Sequence, residues 1–241
     1  MRRWITCAIT VLALAMVLAC ESTDLRGLGT LLQRSSDGEL TVETVTAGLK
    51  EALRVGTENA VEELSTEGGY LQNPELRIGL PEQLQKAADT VRKIGLGGQV
   101  DALEQKMNAA AEEAAGQALP IFWDSIKGMT IEDAMGILRG GPTAATDYFR
   151  QTTYQPLKAE YEPVVQKRME ELGLVRLYND LLTRYEALPL MPQVDLQLED
   201  YVTDRALDGL YSTVAEEEQK IRENPAARTT ELLRTVFGSQ Q

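Results

Sequence analysis

Hydrophobic residues recur at three- and four-residue steps through most of the chain that follows residue 40. The clearest stripe runs from Leu174 to Leu188 and is broken at Pro189. This spacing places apolar side chains on one face of an α-helix. A similar stripe extends from Val42 to Leu64, behind a possible N-cap residue at Thr41. Both segments are predicted to be long amphipathic helices.

Glycine, proline and capping residues divide the rest of the chain into further helices. Pro81 is placed to begin a helix that ends near Ile94, ahead of a glycine-rich stretch. Pro156 and Pro163 favour either two short helices or one helix kinked at Pro163. The other helices are expected from about Gln99, after Pro120, from Thr130 to Leu138 with a capping pair at Thr130 and Asp133, after Thr143, from about Thr203 to Arg222, and from Pro225 to Phe237.

Two short strips alternate apolar and polar residues instead. They contain Leu76, Ile78 and Leu80 in one case and Val194, Leu196 and Leu198 in the other. A period of two is typical of a β-strand. The pattern as a whole predicts an all-α fold, a multi-helix bundle of mostly short and medium helices, with room for one minor two-stranded β pair.

The first twenty residues have the order of an export signal. Arg2 and Arg3 precede an uncharged stretch from Trp4 to Ala19, and Cys20 follows it. That stretch is shorter than the about 20 residues of a membrane-spanning helix. Its end resembles the lipobox of bacterial lipoproteins, in which lipid is attached to the cysteine thiol. An uncleaved signal anchor is the alternative.

The lipobox resemblance implies a domain plan and a location. We expect a lipoprotein signal peptide at residues 1–19, a lipidated tether at 20–40 and a single helical domain at 41–238. Acyl chains such as palmitate on Cys20 would hold the protein to a membrane, since each buried methylene contributes about 0.8 kcal/mol. Glu21 stands where the enterobacterial inner-membrane retention signal usually has Asp. This favours the outer membrane, facing the periplasm, as the place in the bacterial cell envelope.

Charge and residue inventory exclude several classes of function. The formal net charge is −13. Removal of residues 1–19 takes away Arg2 and Arg3 but no acidic residue, so the mature chain would be still more acidic. Without a basic cluster the chain is not expected to bind nucleic acid. Histidine is absent, and the two cysteines are Cys7 and Cys20. Triads that need histidine and zinc sites that need imidazole or thiolate therefore lack their parts. No cofactor is predicted.

Ten polar residues are weak candidates for ligand binding. They fall into three groups, and for each group a structural role competes with a role in binding. The first group lies on or beside apolar helix faces, where a solvated edge or a satisfied ion pair is favoured over a polar pocket. The second surrounds the break at residues 140–142, where capping is favoured over a ligand site. The third flanks Pro225, where internal ion pairs are favoured over a clamp on a carboxylate or phosphate. The groups are Lys50, Asn59, Asn108 and Glu112; Asp133, Arg139 and Thr146; and Arg222, Asn224 and Arg228.

Several longer strings resemble a bacterial family of lipoproteins of unknown function, DUF4197, over about residues 40–238. The resemblance implies a helical domain that faces the periplasm, and it implies no activity. The strings are GLKEAL at 48–53, GGYLQNPELRIGLP at 68–81, MNAAAEEA at 107–114, MTIEDAMGILRGGPTAATDYF at 129–149 and NPAARTTELLRTVFG at 224–238.

The leading hypothesis is a non-enzymatic envelope module that binds a partner protein or a small ligand. One alternative is a carboxylate-dependent hydrolase or lyase that acts on cell-wall or envelope material. The other is a purely structural envelope spacer. The acidic residues are too numerous to select a catalytic pair, and no stretch has the spacing of a calcium loop. No catalytic or metal-binding residue is predicted.

Overall fold

The computed structural model describes residues 41–187 and 197–223. Within these ranges the chain forms eight α-helices and no β-strand, so the predicted all-α class is confirmed. A π-helical turn at Arg92–Leu96 joins the second helix to the third. The helices are α1 (Val42–Leu64), α2 (Glu82–Val91), α3 (Gly97–Ala115), α4 (Ala118–Gly128), α5 (Ile131–Arg139), α6 (Ala144–Glu171), α7 (Leu174–Glu186) and α8 (Leu198–Glu223).

Helix α8 is the hub of the packing. It contacts α6, α1 and α3, while α6 packs in turn on α3. Helix α1 also packs on α4 and α5, and α7 lies against α3 and α2. The core where these helices meet contains large aromatic side chains that are fully buried. They are Tyr70, Phe122, Phe149, Tyr161, Tyr185 and Tyr211.

Helix α6 runs through both of its prolines as one helix, which decides between the two arrangements that the sequence left open. Pro156 and Pro163 lie on its exposed side. The opposite side presents a row of buried residues at every fourth position, which packs against α3 and α8. Burial of this row outweighs the backbone hydrogen bonds that the two prolines remove. The row comprises Phe149, Thr153, Leu157, Tyr161, Val165 and Met169.

The predicted β pair is wrong for the described residues. Leu76, Ile78 and Leu80 are buried and alternate with more exposed neighbours, as in a strand, but they form no ladder. The backbone of Ile78 pairs instead with the Asn108 side chain of α3. Leu198 begins helix α8 rather than ending a strand. Val194 and Leu196 lie outside the described residues.

Most predicted helix boundaries agree with the structure to within a few residues. Pro81 is the residue before α2 rather than its first residue. Gly95 adopts a φ of 86° inside the π-helical turn, where a break was expected. The predicted capping pair of Thr130 and Asp133 is confirmed at the start of α5 as a reciprocal capping box. Helix α8 begins at Leu198, earlier than the predicted Thr203.

Among the described helices, none is both long enough and apolar enough to cross a membrane. The predicted signal peptide, the predicted tether and the helix expected after Pro225 lie outside the described residues.

Candidate functional site

Glu112 anchors the connection between α1 and α2. Its carboxylate is buried on α3, where Oε1 accepts the backbone N–H groups of Gly68, Tyr70 and Leu71 at 3.1, 3.2 and 3.3 Å. The side chain of Tyr70 is fully buried beside it and donates a hydrogen bond to the carbonyl of Ala206 at 2.8 Å. Burial, with the nearby Glu112 charge, raises the pKa of the Tyr70 hydroxyl. Glu112 thus acts as a structural acceptor.

Asn108 holds the same connection one helical turn earlier on α3. Its side chain is fully buried. Oδ1 accepts the N–H of Ile78 at 2.9 Å, and Nδ2 donates to the carbonyls of Ile78 and Glu104 at 2.9 and 2.8 Å. The Asn108 amide therefore makes the hydrogen bonds to the Ile78 backbone that a neighbouring strand would make in a β-sheet.

Glu218 on α8 caps the amino terminus of α6 from a distance in sequence. Its carboxylate accepts the backbone N–H groups of Ala145 and Thr146 at 3.0 and 2.9 Å, together with the Thr146 hydroxyl at 2.9 Å. Thr143 is the N-cap residue of α6, but its side chain makes no capping hydrogen bond. Arg222 pairs with Glu218 at 2.8 Å and donates to the carbonyl of Ile137 at the end of α5. One ion pair therefore fixes both helix ends that flank the Gly140–Pro142 break.

The remaining sequence candidates lie apart from one another. Asn59 donates from α1 to Glu217 of α8 at 2.8 Å, and Asp133 belongs to the α5 capping box. That capping lowers the pKa of the Asp133 carboxyl, through hydrogen bonds from the Thr130 hydroxyl and N–H. Arg139 is exposed at the end of α5. Asn224 and Arg228 lie outside the described residues.

Lys50 lies in a large concavity of the described residues. The concavity is an open groove of about 570 Å³ between α1 and α4, and we call it the Trp123 groove. Its volume is within the about 300–1,000 Å³ typical of ligand pockets. The residues that line it are Ala47, Lys50, Glu51, Arg54, Glu58, Trp123, Ile126 and Lys127.

Trp123 gives this groove its apolar surface. Its side chain is 38% exposed, one of three large apolar residues exposed in the described part of the chain. Phe122 and Ile126 of the same helix are buried, so the indole lies beside the buried stripe and not within it. An exposed tryptophan is a frequent anchor of binding surfaces.

Three cations and two carboxylates line the groove, in a protein that is acidic as a whole. Arg54 donates hydrogen bonds to both oxygens of each groove carboxylate, at 2.9 and 3.0 Å to Glu51 and at 2.5 and 2.7 Å to Glu58. These bonds lower the pKa of Glu51. The ammonium of Lys50 lies 3.4 Å from the backbone carbonyl of Lys127. Among the described residues, Lys50 has no ion-pair partner, whereas Lys127 pairs with Asp124 at 3.1 Å.

Two other concavities in the described part of the chain offer less volume for a ligand. A surface groove of about 380 Å³ between α4 and α6 is lined by polar residues such as Ser125 and Thr152, whose hydroxyls are 2.9 Å apart. An apolar slot beneath Glu218 has room for about one water molecule, at about 20 Å³. In residues 41–187 and 197–223, no cluster of three or more acidic side chains is arranged to hold a metal ion.

Sequence reasoning selected Lys50 but missed Trp123, Lys127 and Glu218. Trp123 falls in the helix expected after Pro120, and no binding role was predicted for it. A finer signal was present, because Phe122 and Ile126 are four residues apart and so are Trp123 and Lys127. The two pairs form adjacent rows on one helix, one buried and one beside it. No comparable signal marks the capping role of Glu218, since the backbone N–H groups that it accepts lie more than 70 residues away.

In the described part of the chain, the fold and the groove define the class of protein, an all-α domain with buried polar anchors and an open groove of mixed charge between α1 and α4. The chain belongs to the DUF4197 family, described as a protein of unknown function, whose model matches residues 39–238. No curated protein and no solved structure matched the chain.

Proposed function

We propose that this protein is a lipid-anchored protein of the bacterial cell envelope whose helical domain binds a partner protein or a small ligand in the periplasm. The Trp123 groove is the observation that carries the binding role. It combines an exposed indole, two lysine ammonium groups and a ligand-sized volume. Surfaces of this kind favour recognition over chemistry, because they supply contact area and charge but no positioned nucleophile or acid.

The buried carboxylates support binding rather than hydrolysis. Glu112 and Glu218 accept hydrogen bonds from backbone N–H groups of other segments, so their oxygens are engaged in holding the fold. A general acid must reach the leaving group of a substrate. The carboxylates of the groove, Glu51 and Glu58, are occupied by Arg54.

The anchor is tested at Cys20. In the native host, Cys20→Ser is expected to abolish lipid attachment and signal cleavage at that bond, measured by acyl labelling and by mass spectrometry of the amino terminus. A conservative Cys7→Ser variant is the matched control and should be processed normally. Normal cleavage and acylation of the Cys20→Ser protein would rule out the lipid anchor.

The binding role is tested by photo-crosslinking in intact cells. A photoreactive amino acid at position 123 is expected to give a discrete adduct that an Ala47→Trp substitution, which fills the groove, removes. The same photoreactive residue at Lys167, which is 78% exposed on α6, is the control. Adducts of equal yield at both positions, or an adduct that the Ala47→Trp substitution leaves unchanged, would refute the groove as the binding surface.

A further inference from the structure

The two lysines of the Trp123 groove come from different helices. Lys50 of α1 reaches across to donate to the backbone carbonyl of Lys127 on α4 at 3.4 Å, so its ammonium lies near the last turn of that helix. In the described part of the chain, no carboxylate lies within ion-pair distance of Lys50. The adjacent acid, Glu51, is bound by Arg54.

Lys127 is only weakly neutralised. Its ammonium is 3.1 Å from Asp124, but the two side chains are 74% and 79% exposed. Exposed pairs of this kind contribute about 0–1 kcal/mol, so Asp124 is readily replaced by another anion. The groove therefore presents two ammonium groups to a bound anion, in a protein of net charge −13.

Apolar surface lies directly beside these cations. Trp123 is one helical turn before Lys127, and Ile126 and Ala47 line the same groove. A ligand that matches both parts carries one anionic group on an apolar body. A large polyanion fits poorly, because the acidic remainder of the surface repels it.

We propose that the Trp123 groove binds a small amphiphilic carboxylate, and this inference rests on the binding role proposed above. The carboxylate lies between the ammonium groups of Lys50 and Lys127, and the apolar chain covers Trp123 and Ile126. Charge-assisted hydrogen bonds hold the head group, while burial of the chain against the indole supplies the apolar contribution.

Trp123 itself reports the binding. The chain has two tryptophans, Trp4 and Trp123, so a Trp4→Phe variant of the full chain has a single indole in the groove. This protein is placed in phosphatidylcholine nanodiscs and titrated with octanoate and, separately, with octanamide, which has the same chain without the charge. Octanoate is expected to change the Trp123 emission in a saturable way, and octanamide to bind about tenfold more weakly.

The lysines are tested together. The Lys50→Gln and Lys127→Gln double variant is expected to weaken octanoate binding about tenfold or more, with little effect on octanamide. Lys167→Gln, on the distant α6 surface, is the matched control and should bind as the parent does. Far-UV circular dichroism confirms that each variant is folded.

Three outcomes would overturn the inference. They are the absence of saturable octanoate binding, equal binding of octanamide, and no effect of the two lysine substitutions. A lysine-dependent emission change seen only with phosphatidylglycerol vesicles would assign the groove to a membrane surface instead. The crosslinking result at position 123 does not depend on this titration, so the two proposals can fail separately.

Discussion

Individual polar groups in the core differ sharply in how well they are satisfied. Asn108 and Glu112 both form hydrogen bonds with backbone groups of the α1–α2 connection. The Tyr70 hydroxyl has an acceptor at 2.8 Å, whereas the hydroxyl of Tyr161 is buried without a partner among the described residues. Burial raises the pKa of Tyr161 well above its usual value, so this hydroxyl stays neutral.

This contrast predicts opposite effects for one chemical change. Tyr161→Phe is expected to raise the free energy of unfolding by about 1 kcal/mol, because it removes a buried unsatisfied group. Tyr70→Phe is expected to lower it by about 1 kcal/mol, because a buried hydrogen bond is lost. Urea unfolding followed by circular dichroism measures both. Equal losses in the two variants would show that Tyr161 has a partner, such as a bound water.

At the scale of elements, α8 connects helices that are distant in sequence. The Glu218–Arg222 pair caps α6 and the end of α5 at once. Glu218→Ala is therefore expected to lower the free energy of unfolding by about 3 kcal/mol, since two buried amides and the Thr146 hydroxyl lose their acceptor and a largely buried ion pair is removed.

Glu216 provides the matched control on the same helix. It is partly exposed, and among the described residues it makes no hydrogen bond like those of Glu218. Glu216→Ala is expected to change stability by less than about 0.5 kcal/mol. Similar midpoints of urea unfolding for the two variants would contradict the tertiary cap.

Two helical glycines differ in what surrounds them. A Cβ at Gly56 of α1 would meet Glu217 and Ile221 at 3.6 Å, which is ordinary contact. A Cβ at Gly209 of α8 would lie 2.6 Å from the ring of Tyr70. Gly209 is therefore needed for the close approach of the Tyr70 ring to α8.

Alanine substitution is expected to separate the two positions. Gly56→Ala should raise the free energy of unfolding by about 0.5–1 kcal/mol, because alanine restricts the unfolded chain and favours helix. Gly209→Ala should lower it by about 1–3 kcal/mol through overpacking. Thermal unfolding of both variants tests this, and a loss of stability at Gly56 would mean that the packing around α1 is tighter than described.

For the molecule as a whole, excess negative charge opposes the folded state. The net charge of −13 is far from zero, and most ion pairs of the described residues are at least partly exposed. Salt screens the repulsion between these like charges, whereas it has little effect on short-range packing.

We therefore expect the protein to become more stable as NaCl rises from about 0.02 M to about 0.2 M, where the screening length falls to about 10 Å or less. The midpoint of urea unfolding at fixed pH 7 is the measurement. A midpoint that falls with salt would indicate that the surface ion pairs contribute more than the net repulsion costs.

Local patterns in the sequence determined most of the elements. The stripes of α1 and α7, the capping box of α5 and the breaks at glycine and proline depend on neighbours a few residues apart, which the sequence displays directly. The prediction of a strand at residues 76–80 was wrong. The same alternation of buried and exposed residues occurs in an extended segment that pairs with one asparagine side chain, Asn108.

Only the tertiary structure decided which polar residues serve the fold and which are available for binding. Asn108, Glu112 and Glu218 obtain their partners from segments 30 to more than 70 residues away, so no local pattern distinguishes them from ligand-binding residues. Lys50 and Trp123 are likewise brought into one groove by the packing of α1 on α4. The periodicity of apolar residues and the capping of helices depend on residues that are close in sequence. Burial and charge pairing depend on how helices that are distant in sequence pack together.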